Sequence, residues 1–265
     1  MSYTTPTMTA LRSVRPGPVF LGLVAATVAG GALLWLSGDD DGGMAIGGMW
    51  LLILGGWLIS LCLHEFAHAF TAFRYGDHSA ELRGYLTLDP RKYTHPLLSI
   101  GLPLLIIVLG GIGFPGGAVY LHTDRMTPGQ QTRVSLAGPA ANLFLGVVLL
   151  LAVTFTGETA SNQNLLAGLT FLAFLQITAT VLNLIPMPGF DGFNAIAPYL
   201  SYETRRSADQ IAPYGFLIIL ALLWIPPVRD VFFSIVDAII GLFGVSSSLM
   251  YDGYRLFLFW NFLGY

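Results

Sequence analysis

Ile59 to Phe73 reads ISLCLHEFAHAFTAF. Two histidines and a glutamate stand inside an apolar run that begins near Met44, where ionisable groups are costly and mark function more often than packing. His64, Glu65 and His68 spell H-E-x-x-H. At about 3.6 residues per turn, positions i and i+4 lie one above the other, so both imidazoles can reach one tetrahedral zinc ion. The glutamate beside them is placed to act as base on a water that the metal activates. With 5 histidines in 265 residues, chance placement would produce this pattern in roughly one such chain in 700.

Two imidazoles do not complete a catalytic zinc site, which takes a third protein ligand and keeps a further position open. The residues of suitable type are His78, His95, His122, Glu81, Asp89, Asp124 and Asp191. Asp191 lies in NLIPMPGFDGFNA, Asn183 to Ala195, where two prolines break a helix and glycines permit sharp turns around the carboxylate. Broken backbone at membrane depth is tolerated where protein or a water-filled cavity covers it. From these residues alone, a plain polar turn at the end of a span, where Asp-Gly is common, is the better reading.

The surroundings are those of a membrane protein. The chain is 54% hydrophobic and 10% charged, against roughly a quarter charged in an ordinary soluble domain. Apolar runs occupy Val19 to Ser37, Met44 to about Phe73, Pro96 to Gly113, Val134 to Phe155, Leu165 to Ile185, Ile211 to Pro226 and Val228 to Phe243. Most approach the roughly 20 residues that span a bilayer. The first run follows Arg12 and Arg15 without a small-residue cleavage pattern, so it reads as a retained span. A net charge of -3 without a basic patch gives no reason to expect a nucleic-acid partner, and the single cysteine, Cys62, excludes an internal disulfide. Residues 1–265 read as one membrane-embedded domain.

Three motifs in this order resemble the site-2 protease family of intramembrane zinc metalloproteases. They are H-E-x-x-H in an early span, LAGPAANLFLG at Leu136 to Gly146, and N-x-x-P followed by Asp-Gly at Asn183 to Gly192. The match covers about residues 60–200, and it suggests a compact member with no room for a PDZ or CBS domain. The resemblance implies one Zn2+ per chain on His64, His68 and Asp191, with Glu65 as catalytic base. Phe190 stands where the family's motif has leucine. It also implies that Asn142 and Asn183 lie near the active site and hold substrate backbone or the oxyanion, although interhelical hydrogen bonding would explain such amides as well.

A shared metal requires His64, His68 and Asp191 to lie at similar depth. If Pro96–Gly113, Val134–Phe155 and Leu165–Ile185 all crossed, Asp191 would fall on the wrong side. Pro96–Gly113 is interrupted by Gly101, Pro103, Gly110 and Gly111, so it is expected to re-enter or break rather than cross. The expected fold is an all-α polytopic membrane protein of about six transmembrane helices. With the N-terminus cytoplasmic, ten of the 12 basic residues, Arg12 to Lys92 and Arg125 to Arg206, then face the cytoplasm. The active site is expected in the cytoplasmic half of the bilayer of a multi-pass cell-membrane protein.

Ala80 to Leu88 and Gly116 to Leu121 have strand-like compositions and suggest a small β element at the membrane surface, whose edge could take an extended substrate. The expected activity is hydrolysis of a peptide bond within or near a transmembrane segment of another membrane protein. By resemblance, that substrate would be a regulator such as an anti-sigma factor or a signal-peptide remnant. The alternative is a non-proteolytic membrane protein with a structural or transport zinc site, which would need no base at Glu65.

Overall fold

The computed structural model describes residues 14–92 and 121–262. Helix α1, Pro18–Ser37, starts on a proline whose missing N–H costs nothing at a first turn. Helix α2, Gly43–Arg74, has 32 residues and rises about 48 Å, well beyond the roughly 30 Å of bilayer hydrocarbon. The two pack antiparallel with backbones in contact. A methyl on Gly30 would lie 2.5 Å from the Leu52 nitrogen and 2.8 Å from the Gly48 carbonyl, the close approach that small residues permit between membrane helices.

Helix α3, Pro128–Thr156, begins with a capping box in which Thr127 and Gln130 satisfy each other's backbone N–H groups. It runs antiparallel to α2 and carries Pro139 in its interior. Helix α4, Gln163–Asn183, is apolar on nearly all sides and buried accordingly, the expected fate of a helix without a polar face. Leu172 of α4 packs over Gly56 of α2, and Ile177 over Gly146 of α3. These alternating directions give the bundle two ends, one at Ser37 and one at Arg74.

The chain turns at the Arg74 end through Leu184–Phe190, where Gly189 adopts φ 99°, a conformation that a Cβ would penalise. Asp191 opens the short helix α5, Asp191–Ile196. Helices α6, Tyr202–Ile211, α7, Gly215–Leu223, and α8, Pro226–Gly241, follow. Tyr202–Leu223 and α8 meet at 98° across Pro226 and Pro227, which cannot continue a helix ladder. Phe243 then accepts a hydrogen bond from Thr154, near the end of α3, at 2.9 Å. Helix α9, Ser247–Phe257, lies on the Ser37 half of the bundle, with Arg255 bonded to Asp41.

Among the described residues, four helices are long and apolar enough to cross a membrane, and a fifth crossing is obtained if the bent pair is one span. The expected six are therefore not found. Ile211–Pro226 and Val228–Phe243, read from sequence as separate spans, are the two arms of that bend. The proposed re-entrant segment Pro96–Gly113 lies outside the described residues. Its described flanks meet: Asp77, just after α2, accepts the His122 N–H at 2.8 Å, so the chain leaves and returns at the Arg74 end.

The β element is also corrected. Among the described residues there is no strand. Ala80–Leu88 instead folds as a helical turn, Ser79–Leu82, and a 3-10 turn, Tyr85–Thr87. Asp77 bonds the Ser79 N–H and hydroxyl, and Gly84 and Leu88 take positive φ. Tyr85, Leu86 and Leu88 are thereby buried against Phe20, Cys62, Ala69 and Phe73. Burial of these apolar side chains outweighs their strand propensity. The main chain of this turn is bonded by the chain's own Gly17, whose N–H donates to Thr87 at 2.9 Å. Of Gly116–Leu121, the proposed strand partner, residues 116–120 lie outside the described residues and Leu121 is in no strand.

Candidate metal centre

His64, Glu65 and His68 all lie buried on α2. Antiparallel packing sets them against a stripe of α3 made of Val134, Gly138 and Asn142, spaced i, i+4, i+8. His68 Nδ1 is 2.7 Å from the Val134 carbonyl oxygen, and His64 Nδ1 is 3.1 Å from Asn142 Oδ1. A carbonyl can only accept, so His68 Nδ1 carries the proton and donates. With Asn142 Oδ1 accepting likewise, the neutral form of each ring turns its Nε2 lone pair to the other side. Such outer hydrogen bonds fix the tautomer and orientation of metal-binding imidazoles.

The two Nε2 atoms are 3.1 Å apart, and Asp191 Oδ2 lies 3.2 Å from that of His64 and 3.4 Å from that of His68. Asp191 Oδ2 is buried with no hydrogen-bond partner. Three atoms of ligand type therefore converge on one point, an arrangement that a cation makes favourable. A tetrahedral zinc with ligand distances of about 2.0–2.1 Å separates its ligands by about 3.3–3.4 Å, so the donor set fits zinc in type and spacing. Among the described residues these three form the group able to hold a metal ion. The histidine side chains are 10% and 8% exposed and that of Asp191 is 17% exposed, so the three lie in a largely buried setting.

Each side chain is positioned by its element. The helical period of α2 aligns the histidines, and the turn at Gly189 delivers Asp191 at the first position of α5. Gly192 allows that turn to close, because a methyl there would strike the Leu184 and Ile185 carbonyls. Glu65 is one residue from His64 and about 60° around the helix from His68.

Of the other candidate ligands, His78 packs edge-on against Phe73 with ring centres 5.2 Å apart. His122 bonds Ser79, Asp89 pairs with Arg91, and Asp124 is exposed. None joins the histidines; His95 is outside the described residues. Asn183 is half-buried at the last position of α4, and the histidines' hydrogen bonds go to Asn142 and Val134 instead. The Val134 carbonyl and Gly138 were not singled out from sequence. Their spacing with Asn142 along one face of α3 was the available signal, but its meaning depends on the register against α2.

No family model matches the chain, and no solved structure is similar to it. Curated relatives are found by sequence. A Mycolicibacterium smegmatis protein named provisionally as zinc metalloprotease Rip2 is 53% identical over 94% of this chain and 96% of its own length. Its Mycobacterium tuberculosis namesake is 50% identical over the same shares. A Bacillus subtilis protein, YwhC, also provisionally named a zinc metalloprotease, is 30% identical over 64% of this chain and 78% of its own length. With a matched length that takes in the H-E-x-x-H helix, the LAGPAAN helix and the Asp191 turn alike, the chain belongs to the site-2 protease family of zinc metalloproteases.

Proposed function

We propose that this chain is an intramembrane zinc endopeptidase that hydrolyses a peptide bond within or near a transmembrane segment of another membrane protein. The observation that carries the reading is the convergence of His64 Nε2, His68 Nε2 and Asp191 Oδ2 beside Glu65, with both histidines on a helix of membrane-spanning length. These three residues would hold one Zn2+. When bound, zinc supplies Lewis acidity, making a water nucleophilic near neutral pH and polarising the scissile carbonyl.

The remaining chemistry belongs to the chain. Glu65 takes the proton from the attacking water and returns it to the leaving amine. Asn142 holds His64 through Oδ1, which leaves its amide NH2 to donate to substrate backbone or the developing oxyanion. Asn183, at the end of α4, is assigned to substrate backbone. The apolar surroundings keep bulk water from the reacting groups and strengthen each of these interactions.

The Arg74 end is assigned to the cytoplasm because Arg15, Arg74, Arg83, Arg91, Lys92 and Arg133 gather there. Its substrates are assigned as single-span membrane proteins, such as an anti-sigma factor or a signal-peptide remnant. Purified protein in detergent should carry one zinc per chain and cleave a tagged single-span substrate, with chelation abolishing cleavage. Glu65→Gln should keep the zinc and lose at least a hundredfold in rate, within the usual worth of a general base. Wild-type turnover by Glu65→Gln would overturn the assignment.

A further inference from the structure

Gly138 sits on the α3 stripe between Val134 and Asn142, facing the two imidazoles. A Cβ built on it would lie 2.6 Å from His64 Nε2 and 2.7 Å from His64 Cε1, and closer still to His68 Nε2. Its three nearest neighbours are thus imidazole atoms, two of them the nitrogens that face Asp191. Gly138 is fully helical with no positive φ, so no left-handed turn calls for a glycine; a Cβ here would also crowd the ring of Pro139, the next residue, a cost that is independent of the imidazoles and the same whether or not the histidines are present. In a helix interior, glycine costs about 1 kcal/mol relative to alanine.

The other glycine facing a helix from α3 gives a contrast. A methyl on Gly146, two turns further along, would meet Ile177 Cδ1 at 2.7 Å and Ile177 Cγ1 at 3.2 Å. The third neighbour is Gln176 Cβ at 3.3 Å, so the one severe contact is with the end of a flexible side chain, which can move. The imidazoles at Gly138 cannot turn aside without breaking their bonds to Asn142 and the Val134 carbonyl.

From this contrast we infer that Gly138 is a positioning residue of the metal centre, its missing side chain being what leaves room for an ion between His64 and His68. The inference rests on the zinc reading above and adds to it a fourth position that the ligand set does not name. A methyl at 138 competes with the ion for the space in front of both Nε2 atoms. The backbone of α3 thereby forms one wall of the coordination volume, and only a hydrogen atom projects from it. The same helix performs all three tasks at one-turn intervals: Val134 orients one imidazole, Asn142 orients the other, and Gly138 keeps the volume between them open.

The test compares full-length wild type, Gly138→Ala and Gly146→Ala in detergent, titrated with zinc against a competing chelating dye. Wild type and Gly146→Ala should bind with similar affinity, and Gly138→Ala at least tenfold more weakly. Wild-type affinity in Gly138→Ala would overturn the inference. A second measurement, made without metal, covers a variant that folds poorly. Gly138→Ala should lower the melting temperature of the wild-type chain, and should lose most of that effect when His64 and His68 are both alanine. An equal loss in both backgrounds would show that the methyl collides with something else, and would also overturn it. If wild type bound no zinc while the metal-free coupling persisted, the zinc reading would fail and the steric part of this inference would stand.

Discussion

At the scale of single residues, the centre depends on acceptors that are not ligands. Asn142 Oδ1 fixes the tautomer of His64 from 3.1 Å, and loss of such an outer partner typically costs 10–100-fold in metal affinity. Asn142→Ala should therefore weaken zinc binding by about that factor, whereas Asn142→Asp, which keeps an acceptor in place, should retain it. A dye-competition titration reads both, and an unchanged affinity in Asn142→Ala would remove Asn142 from the orienting role. The histidine pair and its glutamate were fully legible in the sequence, because i, i+4 spacing on a helix determines their juxtaposition. Asp191 stood out among the candidate ligands by its proline- and glycine-broken setting, but a plain polar turn explained that setting until the resemblance decided for a ligand. The Val134 carbonyl was not legible at all, since any residue type supplies a carbonyl and only helix register chooses which one is used.

Elements bring these residues together through close contacts and one polar clasp. Gly30→Ala places a methyl against the backbone of Leu52 and Gly48, where nothing can rotate away. It should destabilise by about 1–3 kcal/mol, the usual cost of overpacking. Gly22→Ala, on the same helix with nothing within 4 Å, should instead be neutral or stabilise by up to about 1 kcal/mol. Thermal unfolding in detergent separates the two, and equal effects would deny the α1–α2 contact. The clasp is Asp77, buried after α2 and bonded to Ser79 and to the His122 N–H that leads into α3. Burial pushes its carboxyl pKa up, but the Ser79 hydroxyl and the His122 and Ser79 N–H groups outweigh it and hold the pKa below the usual value. Its stabilisation is then present above the unfolded carboxylate pKa of about 3.9 and lost as pH falls through the folded value. Asp77→Asn should lower the melting temperature near neutral pH, and the gap from wild type should close below about pH 4. A constant gap across pH would refute the charged clasp. Sequence composition favoured strands for Ala80–Leu88, where Tyr85 and Thr87 are strand formers. Burial of Tyr85, Leu86 and Leu88 against α1 and α2 decided otherwise, and tertiary burial is not written in local composition.

For the whole molecule, function requires that a metal centre assembled from α2 and α5 lie at one depth, which restricts how the chain crosses. The antiparallel order of α1 to α4, together with the Asp77–His122 bond, brings residues after α2 and before α3 to the same end. The spans were legible from hydropathy, but their number was not. Two apolar runs joined by Pro226 and Pro227 read as separate crossings, and only the 98° bend reveals them as arms of one pair. The distribution of charge supports the proposal that the Arg74 end faces the cytoplasm, and that orientation can be measured directly. Cys62, the sole cysteine, is buried, so single cysteines introduced at exposed loop positions can be labelled against a quiet background. Asp124→Cys reports the metal-centre end and Glu158→Cys the opposite end. In intact cells a membrane-impermeant maleimide should label Glu158→Cys, while Asp124→Cys should react only after permeabilisation. The reverse pattern would invert the protein and place the metal-centre end toward the outer face of the membrane. Labelling of both from outside would contradict the Asp77–His122 pairing, because that bond holds Asp124 at the end from which α2 leaves.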